Sequence, residues 1–223
     1  MLKDIKLGMK LLRYSYGFKT NIALIVFFLL IGGLMMALPK VSAFIFGGTY
    51  VYISFVMFIQ MSYMLLSVQM VSVAPHRKLF EQTFPDAIML ISTILWYLVL
   101  TILVAVCISL RPHLKAEYTV SLVVVALFMA VMLIYFGVCY KFFLPASILF
   151  SFIFMYMLMY GREVITIFLL KYVGVNLFAN FVIGLVILLV ACLLSMLLRK
   201  LFYKRAMSKM AMGAIVRQAM KQV

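Results

Sequence analysis

The chain has 223 residues, 68% of them hydrophobic and 11% charged, with a mean hydropathy of +1.24 and a net charge of +15. An ordinary soluble domain is only about 45–50% apolar, so the composition excludes one and leaves lipid as the solvent. In lipid every backbone group must be satisfied internally, and the apolar runs are continuous rather than alternating with period two, which selects helices over a barrel.

Residues 2 to 17 carry Leu2, Ile5, Met9, Leu12 and Tyr16 on one helical face and Lys3, Lys6, Lys10 and Arg13 on a neighbouring one. That spacing predicts an amphipathic helix lying in the membrane interface, an elbow before the first crossing; a plain basic juxtamembrane segment is the simpler reading. The first apolar run, Asn21 to Leu38, ends in Pro39 and Lys40 rather than in a small-residue cleavage site, so it reads as a retained helix and not as a signal peptide. A second run extends from about Phe44 to Val73. Each can cross a bilayer, for which about 20 residues suffice. Within the second run Gln60, Tyr63, Met64 and Ser67 form a polar and thioether stripe, with Gln60 and Ser67 on one helical face. Such a stripe lines a pathway or a dimer interface, or serves as interhelical glue.

The next polar stretch runs from Pro75 to Asp86. Its prolines bracket room for about two helical turns, in which Leu79, Phe80 and Phe84 share an apolar face beside Arg77, Lys78 and Glu81. Two readings stand: a short helix that plugs into a groove on another protein, and a surface loop whose aromatics dip into the headgroups. The third run, Ala87 to Leu110, and the fourth, Tyr118 to Tyr140, form a hairpin through Arg111 to Glu117. The fourth contains Ala126-x-x-x-Ala130, the small-residue spacing of helix seams. The fifth begins near Lys141 or Pro145 and is interrupted by Gly161, Arg162 and Glu163, and the sixth spans about Gly174 to Leu198. The expected architecture is all-α: one membrane domain with six transmembrane helices over 20–198, preceded by the elbow at 1–19 and followed by a basic tail at 199–223.

Six crossings put both termini on one side, and the cations say which. The N-terminal segment, Arg77 and Lys78, Lys141 and the tail hold 15 Lys and Arg, while the opposite loops hold only Lys40, Arg111, Lys115, Arg162 and Lys171. The positive-inside rule places both termini in the cytoplasm of a bacterial inner membrane. Cations that flank lipid-spanning helices meet anionic headgroups first, so the charge gives no reason to expect a nucleic-acid partner.

Chemistry-bearing clusters are sparse. The sequence has no G-x-x-x-x-G-K-[ST] phosphate loop and no H-E-x-x-H pair. The acids Asp4, Glu81, Asp86, Glu117 and Glu163 all fall at or near predicted membrane edges, whereas an ion-coupled carrier needs ionisable groups near the midplane. His76 and His113 lie in opposite loops, which disfavours an intramembrane enzyme. Cys107, Cys139 and Cys192 show neither disulfide nor zinc spacing and read as small apolar fillers. The 19 methionines, among them Met57, Met61, Met155, Met157 and Met159, lack the Cys or His companions of a copper site and suit an adaptable surface for hydrophobic or amphipathic substrates.

Taken together, the elbow at Leu2 to Tyr16, the six crossings, the loop from Pro75 to Asp86 and the broken segment at Gly161-Arg162-Glu163 resemble the membrane subunits of type-2 ABC exporters. The similarity is architectural and covers essentially the whole chain. It implies that the 75–86 loop is a coupling helix contacting a separate ATPase dimer through Arg77, Lys78, Leu79, Phe80, Glu81 and Phe84. It also implies that the segment opening at Gly161, Arg162 and Glu163 re-enters the outer leaflet, and that the permease pairs with a second copy or a related chain. No cofactor is expected on this chain, since ATP and Mg would sit on the ATPase. The small size is similar to that of bacterial permeases that export amphipathic peptides such as phenol-soluble modulins. The alternatives are the substrate-binding membrane component of a vitamin-type importer and a non-transporting assembly factor.

Overall fold

The apolar runs fold as helices whose ends fall at the punctuation of the sequence. The computed structural model describes residues 10, 12–14, 18–64, 82–139, 141–157, 162–172 and 175–203, and only the backbone of Tyr14, Tyr63, Met64, Arg162, Glu163, Tyr172 and Tyr203. Its α-helices are α1 (Phe18–Ala37), α2 (Val41–Met64), α3 (Phe84–Leu110), α4 (Lys115–Cys139), α5 (Phe143–Tyr156), α6 (Arg162–Tyr172) and α7 (Leu177–Tyr203), with 3-10 turns at Leu12–Tyr14 and Pro112–Leu114 and no strand among the described residues. α1 stops short of Pro39, because the residue before a proline is forced out of helical geometry. α3 opens with Pro85 and Asp86 in its first turn, where a missing N–H costs nothing and a carboxylate complements the helix dipole. α7 opens on Asn176, whose side-chain oxygen accepts the N–H of Phe178 at 3.0 Å.

Five helices, α1 to α4 and α7, are long and apolar enough to cross a membrane. α5 is apolar but only 14 residues long, a rise of about 21 Å against a hydrocarbon core of about 30 Å. The expected fifth crossing is therefore divided between α5 and a separate α6 that starts at the charged Arg162–Glu163 step. Of the expected elbow helix, Leu12–Tyr14 is a 3-10 turn with Leu12 buried, and most of the remainder lies outside the described residues. α7 runs on to Tyr203, so Arg199 belongs to the bundle and not to the tail.

The central helix is α4, which packs on α2, α3, α5, α6 and α7, whereas α1 is held chiefly by α2. Large apolar side chains point outward all round the bundle, including Phe27 and Leu34 on α1, Ile102 on α3, Phe152 on α5 and Leu193 on α7. In water such a surface would drive aggregation; in lipid it is the solvated face. Lipid tails are as apolar as leucine, so helix association there depends on close contact and polar links rather than on expulsion of water. Glycines supply the contact. Gly32 on α1 and Gly47 on α2 face each other so closely that a Cβ on Gly32 would lie 2.8 Å from the Gly47 carbonyl oxygen. On the other side of the bundle Ala126 faces Gly184, and Gly137 faces Ser195, eleven residues further along both α4 and α7. Equal steps in the same direction mean that these two helices run parallel.

Contacts between chain ends sort the bundle into two poles. At one pole Arg111 donates to the Leu38 carbonyl at 3.4 Å and to the Tyr118 hydroxyl at 3.0 Å, bringing the α1–α2 and α3–α4 turns together. α6 lies at this pole too, where Thr166, Ile167 and Leu170 share a cavity with Val41, Ser42, Ile45 and Glu117. At the other pole Asp86 at the head of α3 meets Arg199 near the end of α7, and the Lys141 ammonium sits 5.9 Å from the centroid of the Phe202 ring.

Candidate functional site

The charges inside the bundle converge on one place. Arg199 is 2% exposed and forms a salt bridge with Asp86, which is 16% exposed. The sulfur of Met89, one turn along α3 from Asp86, lies 3.9 Å from the Arg199 guanidinium, and Lys200 adds a second positive field at the carboxylate. Arginine suits this position because its planar, weakly hydrated guanidinium can engage a carboxylate and a neighbouring soft sulfur at once. Removing ions from water is expensive, and a buried pair is retained only where its geometry compensates or its position matters.

Deeper along the same helices the polar character continues. Tyr52 on α2, Thr93 on α3 and Cys192 on α7 bring their tips together, with the Thr93 hydroxyl turned toward both neighbours but short of hydrogen-bond geometry with either. Ser195, one turn from Arg199, is buried where α7 meets Gly137. A polar seam thus joins α2, α3 and α7 and ends in the ion pair. Next to it the Tyr97 hydroxyl occupies the space above Gly184 and reaches the Phe181 carbonyl at 3.3 Å.

The sequence-predicted residues fall unevenly on this frame. Arg77, Lys78, Leu79, Phe80 and Glu81 lie outside the described residues, as do Ser67 and Gly161. Phe84 is 2% exposed and packs in the core at the first turn of α3, so any contribution to a partner contact runs through the position of that turn. Gln60 is half-buried on α2; Tyr63 and Met64 close that helix, and Arg162 and Glu163 open α6, with their side chains outside the described set. The sequence puts Asp86 at the end of the 75–86 loop and Arg199 at the start of the basic tail. What brings them together is the antiparallel passage of α3 and α7, which no local feature of the sequence marks.

These features define an all-helical membrane protein with several spans and a buried ion pair at one pole. No known protein family, no curated protein and no solved structure matches the chain.

Proposed function

We propose that the chain is the membrane subunit of an ATP-driven type-2 ABC exporter, moving hydrophobic or amphipathic peptides, drugs or lipid-like molecules with the help of a separate ATPase. The observation that carries this reading is the Asp86–Arg199 pair. The 75–86 segment leads directly into the first turn of α3, and that turn is tied to the last turns of α7. A partner that pushed on the segment would therefore move two long helices together, as a coupling element requires. The chain lacks a phosphate loop of its own, so the nucleotide chemistry would belong to that partner, and two permease chains, either two copies or this chain with a related one, would serve two ATPases.

Six crossings complete the reading. Lys141 stands beside Phe202 at one pole, while α6 lies with Val41 and Glu117 at the other. The chain between Lys141 and α6 would then make the sixth passage, with α6 as the re-entrant element of the outer leaflet. The cation count then sets the Asp86–Arg199 pole in the cytoplasm of a bacterial inner membrane.

The test is co-purification from native membranes followed by ATP hydrolysis. Full-length chain should retain a soluble ATPase, and Phe80→Ala combined with Glu81→Lys should release it and abolish substrate-stimulated hydrolysis. If that double variant kept both the ATPase and the stimulation, the coupling assignment would be wrong. Recovery of a large integral scaffold instead would replace the exporter with an importer component.

A further inference from the structure

A groove of about 550 Å³ opens on the lipid-facing side of the bundle between α1, α2 and α3. It exists because α1 leans on α2 and has no substantial packing of its own on α3. Its walls include Ile25 and Leu29 on α1, Phe55 and Phe58 on α2, and Ile88 and Leu95 on α3. The polar atoms in the wall are already committed: Ser54 donates to the Val51 carbonyl at 2.5 Å and Ser92 to the Ile88 carbonyl at 2.6 Å. A groove of ligand-site size with no unsatisfied donor accepts a hydrocarbon chain rather than a polar solute.

The charge at its mouth specifies the rest of the ligand. The groove starts near the head of α1, one turn from Lys19, and the Leu12–Tyr14 turn that carries Arg13 packs against α1 with Leu12 buried. Lys10, Arg13 and Lys19 are all exposed. Asp86, two residues before the wall residue Ile88, has its carboxylate engaged by Arg199. Exposed cations around the head of α1, beside an apolar slot that opens there, complement an anionic headgroup carried on an acyl chain.

We propose that this groove binds one anionic phospholipid, with an acyl chain between α1, α2 and α3 and the phosphate at Lys19 and Arg13. The bound chain fills the gap that α1 leaves beside α3 and couples the placement of α1 to the charge of its own leaflet. The site requires no ATPase and stands independently of the transport reading.

The protein contains its own reporter. Trp96 is the sole tryptophan and stacks on Phe55, a wall residue, with ring centroids 5.4 Å apart. Full-length protein is placed in phosphatidylcholine nanodiscs containing a small fraction of phosphatidylglycerol with brominated acyl chains, and quenching of Trp96 is compared with that by the same fraction of brominated phosphatidylcholine. Brominated phosphatidylglycerol should quench well beyond its share. Lys19→Ala and Arg13→Ala should each lower its relative association constant roughly five-fold. Leu29→Phe with Ile91→Phe, which fills the groove from lipid-facing positions, should abolish the excess quenching while the fold is retained. Equal quenching by the two lipids, or a preference that survives loss of both cations, overturns the proposal. So does the absence of lipid quenching together with disulfide crosslinking of Ile25→Cys between copies, which would identify the occupant as a second chain.

Discussion

At the scale of single residues, the Asp86–Arg199 pair concentrates the electrostatic cost of the fold. Arg199 is almost fully enclosed and its partner largely so, at 16% exposed, so the arginine in particular depends on the carboxylate for the interactions that water would otherwise supply. Removing one member of a buried pair strands the other, at a cost of about 3–5 kcal/mol, whereas replacing both by well-packed apolar side chains of similar volume is often neutral. Asp86→Ala should accordingly lower the thermal stability of the detergent-solubilised protein by an amount in that range, and Asp86→Leu combined with Arg199→Met should recover most of it. Stability that fails to return in the double variant would mean that the pair's worth lies in its wider network, including Met89 and Lys200, and not in mutual compensation. If the coupling reading holds, the recovered double variant is stable yet transports poorly, because the link between α3 and α7 has lost its polar lock. None of this was legible from the sequence. Asp86 looked like the last residue of a loop and Arg199 like the first of a tail, since local composition reveals the proximity of a polar segment but not of a distant helix.

At the scale of elements, α1 and α2 form an antiparallel hairpin whose close approach depends on two glycines. A side chain at Gly47 would meet the Gly32 carbonyl oxygen at 2.6 Å and the Met36 amide nitrogen at 2.7 Å, both of them backbone and unable to yield. Gly33, one residue away, has nothing within 4 Å. The two neighbouring glycines of α1 should therefore respond oppositely. Gly32→Leu should push the helices apart and destabilise the protein by about 1–3 kcal/mol, as overpacking does. Gly33→Ala should leave it unchanged or stabilise it by up to about 1 kcal/mol through helix propensity. Thermal unfolding of both variants in one detergent decides this, and a loss of stability in Gly33→Ala would place the seam on the wrong face. The existence of α1 to α4 and α7 was legible because long apolar runs have no other stable form in lipid. Their packing faces were largely hidden, since a helix that is apolar all round carries no periodic mark of its buried side. The visible exception was the Ala126-x-x-x-Ala130 spacing, and both alanines are buried, with Ala126 against Gly184. The cut between α5 and α6 is legible too, since the charged step at Gly161-Arg162-Glu163 interrupts the fifth apolar run and α6 opens at Arg162; that α5 is only 14 residues long is not.

At the scale of the whole molecule, the lopsided distribution of cations and the two poles of the bundle are independent facts that make one joint prediction. The first comes from counting Lys and Arg along the sequence, the second from contacts such as Arg111 with Leu38 and Asp86 with Arg199. If both describe the same orientation, residues near the Arg111 pole face outward and residues near the Arg199 pole face the cytoplasm. Cys107, Cys139 and Cys192 are unpaired thiols and can be replaced by alanine to give a background for single-cysteine labelling. In intact cells a membrane-impermeant maleimide should then react with Lys40→Cys, His113→Cys and Lys171→Cys. Lys141→Cys and Lys200→Cys should react only after permeabilisation. The Lys171 position is the discriminating one, because it reports whether the chain crosses between Lys141 and α6. Were Lys171→Cys to label with the inner set, α7 would leave the cytoplasm, and the end of α7 would emerge on the side opposite the head of α3. Arg199 could not then meet Asp86, so that single result would overturn the sixth crossing and the ion pair together.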